Sequence, residues 1–229
     1  MFNMTAKSKP AKSEETRARI LATALEQFRS EGFDKATMRG IASGAGVATG
    51  LAYYYFPAKE ALVMAFYDQA ALAMQPLLEE VHQREKKLEP RLRAIVQTKL
   101  DHFAPNRKFL GALMGSAADP LHPLSPFSQQ TRAIRETDFA HFHRAVTETG
   151  TNVPADLAPH LGKLLWLYQM GMILFWIYDR SPEQERTQRL LRRSVSTVAL
   201  MIKLGTLPLL KPARKLAVEL IEIVEGGPA

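Results

Sequence analysis

Three consecutive tyrosines, at residues 53–55, carry the most informative chemistry in the chain. Phenolic hydroxyl groups donate hydrogen bonds to phosphate oxygens, and tyrosine rings can contact the methyl groups of thymine bases. Thr49 and Gly50 precede them at the start of a predicted helix, where free backbone N–H groups favour an anion and small residues let it approach closely. Lys59 follows, where its charge can neutralise a phosphate. These residue types and their spacing predict a surface that contacts DNA.

Two short predicted helices, at residues 37–44 and 48–56, must hold these side chains in place. Thr37 can cap the first helix with its hydroxyl group. Gly46 stands where that helix ends and predicts a left-handed backbone. The turn at residues 45–47 then reverses the chain into the second helix. Two helices joined by so tight a turn predict a helix-turn-helix, in which the second helix enters the major groove.

Residues 16–60 resemble the tetracycline-repressor (TetR) family of bacterial transcription regulators. The resemblance begins with TRARILATALEQF at residues 16–28 and continues through Gly32, Phe33, Thr37, Ile41, Ala42, Ala45, Gly46, Val47, Gly50, Tyr53, Tyr55, Phe56 and Lys59. The chain departs from the pattern at Ala48, where relatives often have serine, and at Ala52, where a larger aliphatic residue is common. The resemblance implies an all-α fold, with an N-terminal three-helix helix-turn-helix domain and a larger C-terminal helical domain for ligand binding and dimerisation.

The resemblance also implies which residues contact DNA. Arg39, in the helix before the turn, is the first choice for a base or phosphate contact. The remaining predicted contacts are Thr37, Met38, Thr49, Gly50, Leu51, Tyr53, Tyr54 and Lys59. Residues 53–55 span about 200° of helix surface, so the three tyrosines cannot all face DNA. Tyr55 and Phe56 are expected to anchor the helix to the core and Tyr53 and Tyr54 to face the duplex, although packing is the commoner role of such a triplet in an arbitrary chain.

Composition narrows the class of protein. The 229 residues are 46% hydrophobic, enough to form a core in one large or two small domains. The net charge is +7, of which +3 lies in residues 1–60, and this favours a polyanionic partner without identifying it. The absence of cysteine excludes disulfides and thiolate chemistry and fits a reducing cytoplasm.

Enzyme signatures are missing from the sequence. The six histidines form no HExxH motif, and there is no P-loop, nucleophile elbow or dinucleotide fingerprint. Asp138 and His141 have the i, i+3 spacing of a metal-binding pair, but a surface pair explains them better. We therefore predict no catalytic activity, no metal and no cofactor.

The predicted organisation has three parts. Residues 1–13 are a flexible basic arm that can reach DNA or remain a solvated tail, and they do not resemble a signal peptide. Residues 14–60 are the DNA-binding domain, and residues 61–229 are the helical effector-binding and dimerisation domain. Glycines and prolines divide this last part into predicted helices, at about residues 58–76, 90–103, 104–118, 125–150, 154–180, 182–204 and 211–225.

The predicted helix at residues 154–180 is apolar on nearly all sides and must be covered on nearly all sides. Lys163 and Gln169 interrupt its most apolar part, which favours a buried helix over a membrane span. We predict that one of its rows and the next helix meet a second subunit in a four-helix bundle. The interface residues are Leu161, Leu165, Tyr168, Met172, Phe175, Leu191, Val195 and Val198.

A second set of residues is predicted to line an effector pocket, namely Phe103, Trp166, Gln169 and Trp176. Gln169 would supply a hydrogen bond to a mostly apolar ligand, with simple core packing as the alternative. We thus predict a cytoplasmic, homodimeric repressor that leaves a pseudo-palindromic double-stranded DNA operator when it binds a small-molecule effector, with no membrane partner. The rival hypothesis is a helical-bundle interaction or lipid-binding protein with only non-specific DNA affinity.

Overall fold

The structure, a computed structural model, describes residues 9–117, 119–212, 214–216 and 218–219. These residues form helices and turns, with no strand among them, which confirms the predicted all-α fold. The α-helices are α1 Lys9–Ser30, α2 Met38–Gly44, α3 Thr49–Tyr55, α4 Lys59–Arg84, α5 Leu88–Phe103, α6 Arg107–Ala112, α7 Met114–Ala117, α8 Arg132–Thr147, α9 Ala158–Tyr178 and α10 Glu185–Leu204. Short 3-10 turns lie at Ala104–Asn106, Pro182–Gln184 and Pro208–Leu210.

The described chain divides into two compact units. The first contains the residues up to Leu72 together with Asn106–Arg132, and the second contains Ala73–Pro105 and the residues from Ala133 onwards. The first unit thus includes residues 61–72 and 106–132, which the sequence analysis assigned to the C-terminal domain. Helix α4 belongs to the first unit in its N-terminal half and to the second unit in its C-terminal half.

Helix α1 buries one apolar stripe in the first unit. The buried residues are Ile20, Leu21, Ala24, Leu25 and Phe28. The Phe28 ring stacks on that of Phe109 from α6, with 5.1 Å between the ring centroids. Helix α1 begins at Lys9, so residues 9–13 are helical and do not belong to a flexible arm. The rest of the predicted arm, residues 1–8, lies outside the described residues.

Helix α8 begins later than predicted. The Ser125-Pro126 pair was expected to start a helix, but residues 119–131 form successive turns and α8 starts at Arg132. The hydroxyl of Thr131 donates to the Ser125 carbonyl at 2.8 Å, and that of Ser128 donates to the Pro123 carbonyl at 3.0 Å. Side-chain bonds of this kind offer the backbone an alternative to the helix. The predicted helix at 211–225 lies partly outside the described residues.

A row of polar contacts joins α4 to α8 within the second unit. Arg144 on α8 pairs with Glu79 on α4, and one turn away the His82 Nε2 lies 3.3 Å from the His141 Nδ1. The His141 Nε2 lies 3.2 Å from the Gln75 Oε1, so it donates this hydrogen bond and His141 Nδ1 accepts from His82. His82 Nδ1 is then an acceptor, and it is buried without a partner among the described residues.

The His82 imidazole should make stability depend on pH. Burial lowers the pKa of His82 from its ordinary value of 6.5 to about 4, helped by the positive charges of Arg144 and Arg91. Because the folded pKa lies below the unfolded one, the unfolded chain takes up the proton first, and stability falls as the pH drops from 6.5 towards 4. We expect a loss of about 2–3 kcal/mol between pH 7 and pH 4 from this group.

Urea denaturation across that pH range should show a shallower decline for His82→Gln than for the wild-type chain. His143→Gln is the matched control, because His143 is exposed on the same helix as His141. Equal slopes for wild type and His82→Gln would contradict the role given to His82.

Candidate nucleic-acid interface

Helix α2 is fixed at its start by the residue predicted to cap it. The Gly40 backbone N–H donates to the Thr37 hydroxyl at 3.1 Å. Ile41 and Ala42 are fully buried and hold the helix to the core of the first unit. A side chain at Gly44 would come within 2.9 Å of the Thr23 side chain, so α2 packs closely on α1.

The turn between α2 and α3 has the predicted geometry. Gly46 has a φ of +63°, in the left-handed region that favours glycine. The Gly46 N–H donates to the Ser43 carbonyl at 3.0 Å, and the Val47 N–H donates to the Ala42 carbonyl at 3.0 Å. These two bonds use carbonyls that the end of α2 leaves free, as in a Schellman motif. Helix α3 then starts at Thr49, and Ala48 provides no side-chain cap.

Helix α3 presents two of its three tyrosines to solvent. Tyr54 is 79% exposed and Tyr53 is 50% exposed. Tyr55 is partly buried, and its hydroxyl lies 2.9 Å from the Ser13 hydroxyl on α1. Ala52 and Phe56 are buried and complete the inner side of the helix. The tyrosines are therefore divided as the sequence analysis expected, with Tyr53 and Tyr54 available to a ligand and Tyr55 engaged with α1.

The other predicted contacts lie around these tyrosines, with one exception. Those with exposed or partly exposed side chains are Thr37, Arg39, Thr49 and Leu51, and Gly50 is exposed on the first turn of α3. Met38 is only 6% exposed, so the prediction of a side-chain contact there is wrong. Met38 is adjacent in sequence to the exposed Thr37 and Arg39, but its side chain points from α2 towards the core.

Lys59 has a structural role that the sequence analysis missed. Its ammonium group donates to the Phe33 carbonyl at 2.7 Å and also contacts the Asp34 carbonyl at 3.4 Å. The same group lies 4.5 Å from the centroid of the Phe33 ring, a cation–π distance. Lys59 therefore ties the start of α4 to the turn after α1. The sequence analysis predicted that Lys59 neutralises a phosphate. In the structure its ammonium group is engaged within the chain and is not free to do so.

The predicted interface rows of α9 and α10 mostly face the interior of their own subunit. Buried members are Leu161, Leu165, Met172, Leu191 and Val195, while Tyr168, Phe175 and Val198 are partly exposed. Tyr168 is engaged within the chain, because its hydroxyl lies 2.7 Å from the Ser194 hydroxyl on α10. The buried residues cannot contact a second copy, so this part of the prediction is wrong.

A different row of α9 faces solvent, one residue away from the predicted one. Adjacent residues on an α-helix differ by about 100° in direction. The exposed or partly exposed row is Leu164, Leu167, Gly171, Leu174 and Tyr178, and α10 adds Leu190, Ser194, Thr197 and Met201. Both rows follow the alternating four- and three-residue spacing of a coiled-coil seam. We call these residues the outer stripe.

The four predicted pocket residues differ in burial. Trp166, Gln169 and Trp176 are buried on the inner side of α9, whereas Phe103, at the end of α5, is partly exposed. The Trp166 ring meets Phe139 of α8 edge-on, with 5.4 Å between the centroids. Among the described residues, no group of three or more His, Cys, Asp or Glu side chains is arranged to hold a metal ion. Asp138 pairs with Lys99, and His141 pairs with His82.

Comparison with known families decides what this fold is. A family model described as "Tetracyclin repressor-like, C-terminal domain" matches residues 91–219, more than half of the chain. A second, described as "Bacterial regulatory proteins, tetR family", matches residues 20–66. The chain belongs to the TetR family. It is therefore a DNA-binding transcriptional regulator and not an enzyme.

Similar proteins of known name agree with this assignment. The HTH-type transcriptional regulator UidR of Escherichia coli K12 and that of Shigella flexneri are each 38% identical to this chain over 69 residues. That segment is 30% of this chain and 33% of UidR, so the match spans a third of the length of these curated relatives.

Solved TetR-family structures share the fold over most of its length. A regulator from Streptomyces coelicolor is 20% identical, with a TM-score of 0.62, and the alignment covers 83% of this chain and 97% of that one. A regulator from Nitrosomonas europaea is 18% identical, with a TM-score of 0.59, and the alignment covers 80% and 98% of the two chains. At these identities the likeness concerns the fold alone.

Within the described part of this TetR-family chain, two helices are long and apolar enough to cross a membrane by length and composition, namely α4 and α9. In each, 39% of the most apolar segment is buried within the structure. Core helices of soluble proteins pass the same test, so this observation is weak evidence for a membrane span. The resemblance of α9 to a span follows from its two apolar sides, one facing the interior and one carrying the outer stripe.

The structural role of Lys59 can be measured in the absence of DNA. We expect Lys59→Met to lower the free energy of unfolding by about 1 kcal/mol, because it removes a charge-assisted hydrogen bond from a partly exposed site. Urea denaturation checks this. Lys35→Met, at an exposed position of the same turn region, should have almost no effect. If the two variants were equally stable, the contacts of Lys59 would not stabilise the packing of α4 against the turn after α1.

Proposed function

We propose that this regulator is a cytoplasmic homodimer that represses transcription by binding a pseudo-palindromic operator, and that a small molecule releases it. The observation that carries the proposal is the exposure of Tyr53 and Tyr54 on a helix whose other side is anchored in the helix-turn-helix. Arg39, Thr49 and Gly50 lie on exposed parts of the same two helices. This combination of cationic, hydroxyl and small residues suits phosphate contact at the groove edge and base contact within it.

The outer stripe supports self-association. Leu174 is 48% exposed and Met201 is 65% exposed, and both lie on helices whose opposite sides are already buried. A contiguous apolar row on a soluble protein favours a protein partner. The small residues Gly171 and Ser194 allow two helices to approach closely. A second copy that contributes the same two helices would bury the stripe in a four-helix bundle.

Two-fold symmetry connects this association with DNA recognition. A symmetric dimer presents two copies of α3 to the duplex, and half-sites one helical turn apart, about 34–36 Å, would match them. Symmetry in the protein therefore predicts symmetry in the operator. An effector that binds more tightly to a form of the dimer with another separation would draw the population away from DNA, by no more than its difference in affinity.

Gel-shift competition tests the proposal as a whole. The labelled duplex is the region upstream of the protein's own gene, and the competitors are the same duplex unlabelled and a random duplex of equal length. A sequence-specific repressor loses affinity as salt rises but keeps its preference for the operator. Equal competition by both duplexes would instead favour the rival, a helical-bundle protein that binds DNA without sequence preference.

Removing a side chain at Tyr53 should weaken DNA binding without affecting the fold. We expect Tyr53→Ala to weaken operator binding by about 1–3 kcal/mol, because it removes both the hydroxyl and the ring. Tyr53→Phe separates the two contributions. Fluorescence anisotropy with labelled operator measures both variants, with Leu121→Ala as a control at a position that is 89% exposed in the same unit. Wild-type affinity in Tyr53→Ala would remove Tyr53 from the interface.

A charge in the outer stripe should separate the subunits. We expect Leu174→Asp to sediment as a folded monomer, because a carboxylate would have to be desolvated in the bundle. Leu72→Asp is the matched control, since Leu72 is 73% exposed on α4, outside the stripe. Met172→Asp differs from both, because Met172 is buried within the subunit and a charge there should unfold the chain.

Analytical ultracentrifugation gives the mass of each variant, and circular dichroism shows whether it is folded. A Leu174→Asp protein that remained a dimer would place the interface on another surface of the molecule.

A further inference from the structure

Gln169 is a buried polar residue whose acceptor has no partner. The side chain is 1% exposed, and its Oε1 is buried without a hydrogen bond from any described residue. Leaving a buried acceptor unpaired costs on the order of 1–3 kcal/mol, and most such groups in native proteins have a partner. A helix as apolar as α9 would gain stability from an aliphatic residue at this position. The stability of the ligand-free fold therefore does not explain why a glutamine occupies this position.

Gln169 lies in the middle of a row on the inner side of α9 that includes both tryptophans. The row is Gly162, Trp166, Gln169, Ile173 and Trp176, and all five residues lie within about a quarter of the helix circumference. At one end α8 closes on the row, since a side chain at Gly162 would come within 2.7 Å of the Phe139 carbonyl. Trp166 meets Phe139 in the next turn. Gln169 follows one turn later, between the two tryptophans.

The charges buried in the same unit are already compensated. Lys99 pairs with Asp138, and Arg91 pairs with Glu148 at 3.1 Å. Asp179 accepts from the Thr187 backbone N–H at 2.8 Å and from the Thr187 hydroxyl at 2.7 Å. An ionised ligand entering this unit would find no unpaired buried counter-charge among the described residues, and desolvating it would be costly.

We propose that the Gln169 amide is the polar contact of the effector site, and that the effector is a compact, uncharged molecule with an apolar body and one O–H or N–H donor. The inference rests on the proposed release by a small molecule and names the chemical class that this site selects. The apolar body packs beside Trp166 and Trp176, and the donor satisfies Oε1. A pure hydrocarbon leaves the acceptor unpaired, and an ion adds a charge that nothing in the unit balances.

The first test uses the ligand-free, full-length chain. Gln169→Met keeps the length and volume of the side chain and removes the unpaired acceptor. We expect the Tm to rise by about 2–4 °C, the shift that relief of one unsatisfied group produces in a chain of this size. Thr187→Val is the matched control, because Thr187 is fully buried and its hydroxyl is paired, and its Tm should fall. A lower Tm for Gln169→Met would show that Oε1 is satisfied without a ligand, for example by an internal water, and would overturn the proposal.

The second test uses the two tryptophans, the only ones in the chain, as a local reporter. Cyclohexanol and chlorocyclohexane are matched probes, and only cyclohexanol has a donor. We expect cyclohexanol to shift the tryptophan emission saturably, with roughly tenfold weaker binding to Gln169→Met because a hydrogen bond to a buried acceptor is lost. Chlorocyclohexane should bind the two proteins equally and more weakly than cyclohexanol binds wild type. No saturable shift with cyclohexanol, or equal affinity for wild type and variant, would overturn the assignment.

A third measurement separates this inference from the proposed function. Probe binding that leaves the operator complex intact would support the site but count against effector-controlled release. Conversely, a compound that releases DNA while leaving tryptophan emission and the Gln169→Met response unchanged would support the regulator and place its effector elsewhere.

Discussion

The C-terminal half of this protein depends on one helix that has apolar side chains on two opposite sides, both of which must be buried. Helix α9 contacts α5 and α10 inside its own unit, and Leu165 and Trp166 on its inner side are buried. Its opposite side still carries Leu167, Leu174 and Tyr178 in solvent. Each fully buried aliphatic side chain contributes about 1.5–3 kcal/mol, so a row of them left in water is a substantial driving force for association. In the proposed dimer, a second copy of α9 and α10 would cover this row, and one surface would then serve both subunits.

The N-terminal half depends on a different constraint, the shortness of α2 and α3. Each has seven residues, and helices of that length are not stable in water by themselves. Their conformation is imposed by contacts at both ends. The Thr37 hydroxyl and the left-handed Gly46 fix the limits of α2, and the Tyr55 contact with Ser13 fixes α3. Since this anchoring does not involve Tyr53 or Tyr54, both can be presented to solvent without destabilising the domain.

What could be predicted from sequence follows from how strongly each pattern restricts the structure. The helix-turn-helix combines a cap, a left-handed glycine and an apolar stripe on α1. Each of these signals fixes where a helix begins or ends, or which side of it faces the core. The prediction was accordingly correct for the turn and for the division of the tyrosines. Met38 and Lys59 are exceptions. The burial of Met38 depends on the direction of one side chain in a short helix, and Lys59 makes contacts with residues more than twenty positions earlier in the chain.

Helix α9 shows the opposite case, in which the pattern contains too little information. When apolar residues occupy nearly every position, periodicity cannot distinguish the row that faces the core from the one that faces a partner. The predicted interface rows therefore lie one residue, or about 100° of rotation, away from the rows that the structure exposes. The choice of α9 and α10 as the dimerisation helices stays a prediction. The rotation of the helix becomes visible only in tertiary contacts, such as the packing of Gly162 against Phe139 and the pairing of Tyr168 with Ser194.

The rotation of α9 places the row that contains Gln169 and the outer stripe on opposite sides of a single helix, which matters for the proposed regulation. The proposed effector contact, Gln169, points inward, and the outer stripe points away from it. In the proposed regulator, a ligand bound at Gln169 would act on the same helix whose outer stripe would form the dimer interface. Interfaces made of interdigitated side chains do not deform continuously, so a small shift of α9 would move the proposed dimer between discrete packings. The energy available for that change is limited to the difference in ligand affinity between the two packings, and satisfying one buried acceptor already supplies about 1–3 kcal/mol of it. In the proposed mechanism, the unsatisfied Gln169 is the physical source of the coupling, since the ligand-free packing carries a cost that the ligand removes.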